Sequence, residues 1–210
     1  MSTEQTTSVP NHHAHYPAFA GPTGLIAAVS MVMGREDDAR LAERLSQLAP
    51  GDTVVDIGCG PGTAVRRAAR LGASAVGIDP APVMLRVARL LSRRSKAVRY
   101  AEGAAEAIPL PDASASVVWS IASVHHWRDL DAGLREALRV LRPAGRLVAI
   151  ERRARAGAHG IANHGWTDEQ ARAFADRCLE HGFADVNVDR QSDGRRATVS
   201  VTVTAPTRDS

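Results

Sequence analysis

The run V-V-D-I-G-C-G-P-G-T (residues 54–63) constrains this chain more than any other stretch. Residues 52–57 are short and apolar, as a buried strand requires, and they run straight into Gly58, Gly60 and Gly62. Residues 63–71 carry a helical pattern that Gly72 stops. A strand, a glycine turn and a helix in that order aim backbone N–H groups at whatever sits there. Glycine also lets the backbone come close to a ligand without a clashing Cβ. Residues 74–79 read as the next strand, and its last residue is Asp79. A carboxylate in that place can accept hydrogen bonds from both hydroxyls of a ribose.

The spacing argues against a nicotinamide dehydrogenase. That fingerprint is G-x-G-x-x-G, whereas this turn is G-x-G-x-G with Thr63 where the third glycine would fall. Asp56 just before the glycines suits a cationic or amine-bearing ligand better than a pyrophosphate. No G-K-[ST] follows, so the turn is not a P-loop.

The same alternation continues down the chain. A helix over 83–91 leads to a strand over 97–101, and another strand covers 115–121. A helix over 129–141 places Leu130, Leu134, Leu138 and Leu141 on one side, with Asp129 as its cap. Pro143 and Gly145 end it, and 146–151 is the fifth strand. Thr167 and Gln170 form a capping-box signature, and the helix they open closes at Gly182. Strands over 184–189 and 197–204 flank the turn S-D-G (192–194) as a hairpin. Upstream, a helix over 36–48 aligns Leu41, Leu45 and Leu48, with Glu36, Asp37 and Asp38 in its first turn. The fold expected is α/β: a doubly wound, mainly parallel seven-stranded sheet. Helices cover both faces, and a C-terminal hairpin adds one antiparallel strand.

Residues 1–22 read as a flexible, His-rich arm, 23–205 as a single domain and 206–210 as a loose tail. A length of 210 residues fits one domain, and 44% hydrophobic with 23% charged residues fits a globular one. No apolar run approaches the roughly 20 residues of a membrane helix, so no membrane insertion is expected. Cys59 and Cys178 make neither a metal spacing nor a disulfide framework, and a cytoplasmic chain with reduced thiols is the expectation. The net charge of +3 is a small imbalance with arginines scattered, so nucleic acid is not an expected partner. A monomer or a homodimer is expected.

Five stretches together carry a family resemblance. They are V-D-I-G-C-G-P-G, G-I-D-P-A-P-V-M-L, G-A-A-E-A-I-P-L-P-D, A-S-V-V-W-S-I-A-S-V-H-H-W and L-R-P-A-G-R-L-V. With them the chain resembles the class I S-adenosylmethionine-dependent methyltransferases, in the small-molecule branch that includes the quinone-biosynthesis enzymes. The resemblance implies S-adenosyl-L-methionine as cofactor. It places Asp56, Gly58, Cys59 and Gly60 under the methionine part and Asp79 on the ribose. It sets Pro80 and Met84 beside the adenine, and Ser120 and Ile121 along the methionine end. Where the family often has G-D-A-E, with the Asp contacting the adenine amine, this chain has Gly103, Ala104, Ala105 and Glu106. The backbone of Ala104 and Ala105, helped by Glu106, is then expected at the amine.

Methyl transfer is an in-line displacement whose reactivity the cofactor supplies, while the protein aligns the partners and excludes water. An oxygen or nitrogen acceptor also needs a place for its proton. His125 and His126, just past the fourth strand, are the candidate bases, since imidazole titrates near neutrality. His12, His13 and His15 lie in the arm with Tyr16 and Phe19. Without Asp, Glu or Cys beside them they read as part of a lid, not a metal site, and Tyr16 joins the catalytic candidates. His159 and His164 read as solvated loop residues, and Trp119, Trp127 and Trp166 as packing residues. The function expected is transfer of a methyl group to a small-molecule acceptor, at oxygen or carbon. The alternatives are a non-catalytic S-adenosylmethionine-binding regulator and a nucleic-acid methyltransferase.

Overall fold

The computed structural model describes residues 36–154, 165–192 and 197–207. Seven strands form one sheet in the order β3-β2-β1-β4-β5-β7-β6. In chain order they are β1 (Thr53–Ile57), β2 (Ser74–Asp79), β3 (Val98–Glu102), β4 (Ala115–Ile121), β5 (Leu141–Arg152), β6 (Ala184–Ser192) and β7 (Ala197–Thr204). The helices are α1 (Glu36–Leu45), α2 (Thr63–Arg70), α3 (Pro82–Ser92), α4 (Leu130–Val140) and α5 (Asp168–Glu180), with a 3₁₀ turn at Val124–His126. Strands β1 to β5 pair in parallel, and β7 pairs antiparallel with both β5 and β6. This is the expected doubly wound sheet with its terminal hairpin.

Alternating residues send the strands' apolar side chains to two cores. On one face Val54, Val117, Trp119 and Ile121 pack with Ala42 of α1, Val65 of α2 and Leu85 of α3. On the other, Val55, Ile57 and Val118 pack with Leu134 of α4 and Phe174 of α5. The central strands are therefore apolar on both sides, as a covered parallel sheet demands. Trp119 is fully enclosed, and its indole N–H donates to Ser46 Oγ at 3.2 Å.

Helix ends follow local chemistry. Asp129 accepts from the N–H of Ala132 at 3.0 Å. Thr167 accepts from the N–H of Gln170 at 3.2 Å, and Gln170 accepts in return from the N–H of Thr167 at 2.8 Å. The expected helix over 129–141 stops one residue earlier, because Leu141 already pairs with Ala115 on β4. The next pair is Arg146 with Val117, so residues 142–145 form a bulge, and Ala144 adopts φ 59° there. Pro143 and Gly145 thus shape the start of a strand and not a loop. The expected helix over 36–48 likewise ends at Leu45, and Gln47 takes φ 47° just beyond it.

β1 lies between β2 and β4, which leave it in opposite directions. Their carboxyl ends open a crevice at that switch point, where open α/β sheets bind ligands.

Candidate functional site

Gly58, Gly60 and Gly62 all have positive φ, at 71°, 53° and 77°. The turn folds back on β2: the N–H groups of Gly58 and Cys59 both donate to Ile78 O, at 2.8 and 3.0 Å. Two of the glycines also occupy tight places. A Cβ on Gly58 would lie 2.5 Å from Ser123 Cβ, and one on Gly62 would lie 2.2 Å from the Tyr100 hydroxyl. Tyr100 is braced from behind by Ser92, their hydroxyls 2.8 Å apart. Gly77, in the middle of β2, makes room for both Tyr100 and Cys59 Sγ.

Asp79 is 7% exposed at the end of β2. Its Oδ2 accepts from the N–H of Gly60 and its Oδ1 from the N–H of Ala81, each at 2.8 Å. The carboxylate thus holds the turn to the end of β2. Asp56 is 2% exposed, one residue before the end of β1. Asp56, Gly58, Cys59, Pro61, Thr63, Ala64 and Ile121 line a small cleft. Burial pushes the Cys59 thiol well above its ordinary pKa, and the Asp56 and Asp79 carboxylates add to that.

On the far wall, Ser123 Oγ donates to Ile57 O at 2.6 Å, and the Ser120 and Ser123 hydroxyls lie 2.7 Å apart. Ser123 has one hydroxyl hydrogen, already given to Ile57, so Ser120 is the donor of that pair. Ser120, expected along the ligand, thus spends its hydrogen inside the protein, whereas its neighbour Ile121 reaches the cleft. Ser123 was not singled out in the sequence. Its signal was its place after β4, which only the packing against Gly58 makes meaningful.

Pro80 is exposed beyond Asp79, whereas Met84 is on the buried side of α3. Ala104 is half-buried and Ala105 buried. The Ala104 carbonyl accepts from the N–H of Ala107 at 3.2 Å. Glu106 Oε1 accepts from the backbone N–H groups of Arg128 and Asp129 and so fastens the start of α4.

The 3₁₀ turn carries His125 and His126 with ring centroids 4.0 Å apart. His126 is exposed, and the His125 side chain is 11% exposed. His125 Nδ1 lies 2.8 Å from Oε2 of Glu151, whose side chain is wholly enclosed near the end of β5. Glu151 was read only as a strand end, since nothing in its neighbours marks it. Trp127 packs against Gly133, and Trp166 stacks near Phe174 at 4.7 Å between centroids. Both tryptophans are buried, in keeping with packing. Tyr16, Phe19, His12, His13 and His15, and the loop residues His159 and His164, lie outside the described residues. Among the described residues no helix is long and apolar enough to cross a membrane.

Comparison with known proteins gives the following. A family model described as a methyltransferase domain matches residues 55–149. A demethylmenaquinone methyltransferase of Tropheryma whipplei (strain Twist) is 33% identical over 112 residues, which are 53% of this chain and 46% of that protein. A 2-methyl-6-phytyl-1,4-hydroquinone methyltransferase of Synechocystis sp. (strain ATCC 27184 / PCC 6803 / Kazusa) is 32% identical over 143 residues, 68% of this chain and 45% of that protein. The chain therefore spans less than half the length of these curated relatives. Among solved structures, the [4+2]-cyclase SpnF superposes with a TM-score of 0.71 at 19% identity, over 83% of each chain. That likeness concerns the fold.

Proposed function

We propose that this chain is a class I S-adenosylmethionine-dependent methyltransferase that transfers a methyl group to a small-molecule acceptor at oxygen or carbon, a reading supported by the methyltransferase-domain match over residues 55–149. The observation that carries the reading is the pairing of Asp79 with the turn it holds. One carboxylate at the end of β2 fixes the N–H of Gly60, in the turn whose Gly58 and Cys59 line the cleft. A bulky, cationic nucleoside fits this donor set. A carboxylate such as Asp79 is an acceptor suited to ribose hydroxyls, the glycines leave no Cβ between backbone and ligand, and buried Asp56 suits a positive charge. The cofactor supplies an electrophilic methyl on a sulfonium.

The chain's own residues do the rest. Gly58, Cys59 and Gly60 shape the floor under the methionine part, and Ile121 closes its wall. Pro80 and Met84 flank the adenine, and the backbone of Ala104 and Ala105 meets its amine. Displacement needs acceptor, methyl and sulfur in line with water excluded, which a rigid turn locked to β2 favours. His125 receives the acceptor's proton. The similarity to methyltransferases of quinone-type acceptors favours a phenolic or quinol ring.

Calorimetry with S-adenosylmethionine and S-adenosylhomocysteine tests the first half. Labelled-methyl transfer to hydroquinone, catechol and 1,4-dihydroxy-2-naphthoate tests the second. Tight binding with transfer supports the reading. Absence of donor binding by the folded chain overturns it, and binding without transfer to any small molecule leaves the non-catalytic binder as the better reading.

A further inference from the structure

We propose that Glu151 is the positioning residue for His125. In this role it fixes the ring tautomer that takes a proton from an acceptor hydroxyl. The inference rests on the methyl-transfer reading and narrows its substrate class to acceptors that lose an O–H proton, either at the methylated oxygen or beside the methylated carbon.

Both carboxylate oxygens of Glu151 point at one residue. Oε2 lies 2.8 Å from His125 Nδ1, and Oε1 lies 3.4 Å from the His125 backbone nitrogen. The Glu151 side chain is 0% exposed, and among the described residues His125 is its ion-pair partner. An enclosed carboxylate is costly unless paired, so its persistence beside one imidazole implies a role for charge. A tether for a main-chain N–H needs no carboxylate, since a glutamine oxygen would serve.

In this role the carboxylate accepts from Nδ1–H, which makes Nε2 the nitrogen that takes the proton. The turn that presents this ring is locked to the cleft floor. Two residues before His125, Ser123 bonds Ile57 O at 2.6 Å and packs against Gly58. In the transfer the acceptor oxygen or its activated carbon bonds to the methyl carbon. The carbon–sulfur bond breaks, and sulfur keeps the electron pair. The acceptor's hydroxyl proton passes to Nε2, and the resulting imidazolium faces the Glu151 carboxylate. The logic is that of an acid-oriented histidine base.

The test compares Glu151→Gln, Glu151→Asp and His125→Ala in the full chain. Long-range ¹H–¹⁵N spectra of the His125 ring in the wild type should show hydrogen on Nδ1, and Glu151→Gln should redistribute it. With the three phenolic probes, Glu151→Gln should lower kcat about tenfold or more and His125→Ala about 10²-fold. The double variant should be no slower than His125→Ala alone, and Glu151→Asp should recover part of the loss. Affinity for S-adenosylhomocysteine should stay within about twofold throughout, because the dyad does not hold the cofactor. A wild-type ring with hydrogen on Nε2, or an unchanged spectrum and rate in Glu151→Gln, overturns the proposal. Should Glu151→Gln not fold, the wild-type spectrum and Glu151→Asp decide it. Should no probe be methylated, the spectra decide it, and loss of donor binding would instead count against the methyltransferase reading.

Discussion

The Asp79 carboxylate spans two segments at once: Oδ2 holds the N–H of Gly60 and Oδ1 the N–H of Ala81, each at 2.8 Å. The end of β2, the glycine turn and the entry to α3 are therefore one unit. Any ligand bound by Asp79 binds a turn that is already formed.

Asp79→Ala should cost both stability and donor affinity. One buried and one half-buried backbone donor lose a charged acceptor, worth on the order of 1–3 kcal/mol for each such bond. We expect a lower thermal midpoint and at least about tenfold weaker binding of S-adenosylhomocysteine by calorimetry. Unchanged affinity in a folded variant would remove Asp79 from the binding site.

Gly58→Ala should be severely destabilising, because the left-handed backbone and the 2.5 Å approach to Ser123 Cβ act together. The two terms separate in a double-mutant cycle. Adding Ser123→Gly should return part of the loss by relieving the overlap, while the strain of φ 71° remains. Strict additivity in urea melts would show that the contact with Ser123 contributes nothing.

Glu136 sets an acid limit. The Arg139 guanidinium beside it holds its carboxyl below the ordinary range, against burial and with help from the Ile108 N–H. A depressed folded pKa stabilises above the unfolded value, near 4.3. That contribution fades as pH falls through the folded value. The stability gap between wild type and Glu136→Gln should be full at pH 7 and shrink progressively below about pH 4. Denaturant midpoints across pH 3–7 measure it, and a pH-independent gap would contradict it.

Thr167→Ala should cost about 1 kcal/mol by removing one half of the capping box. Thr167→Ser should restore most of it, because the hydroxyl and not the methyl does the capping. Equal losses in both variants, read from urea midpoints, would assign the effect to packing.

Much of the fold was legible because it rests on local signals. Glycines 58, 60 and 62 mark the turn, Asp79 the second strand end, and Thr167 with Gln170 the start of α5. Each is a short-range pattern with one physical meaning. What escaped depends on contacts far apart in sequence. Glu151 meets His125 across 26 positions, and Glu106 meets Asp129 across 23. No spacing rule reaches that far. Ser120, which the family resemblance sets along the methionine end, also shares a hydrogen bond with Ser123 that no pattern in the sequence announces. The bulge at 142–145 escaped because Pro and Gly read alike as a loop and as an irregular strand start.

Gly77 hollows out β2 beneath Cys59, and the sulfur that fills the hollow is sealed beneath the turn. Burial holds its thiol protonated even beside the cleft, so a maleimide or iodoacetamide should modify it slowly until the turn peels away from β2. The rate of that alkylation is then a built-in gauge of local opening, readable residue by residue in a mass spectrum without any introduced label.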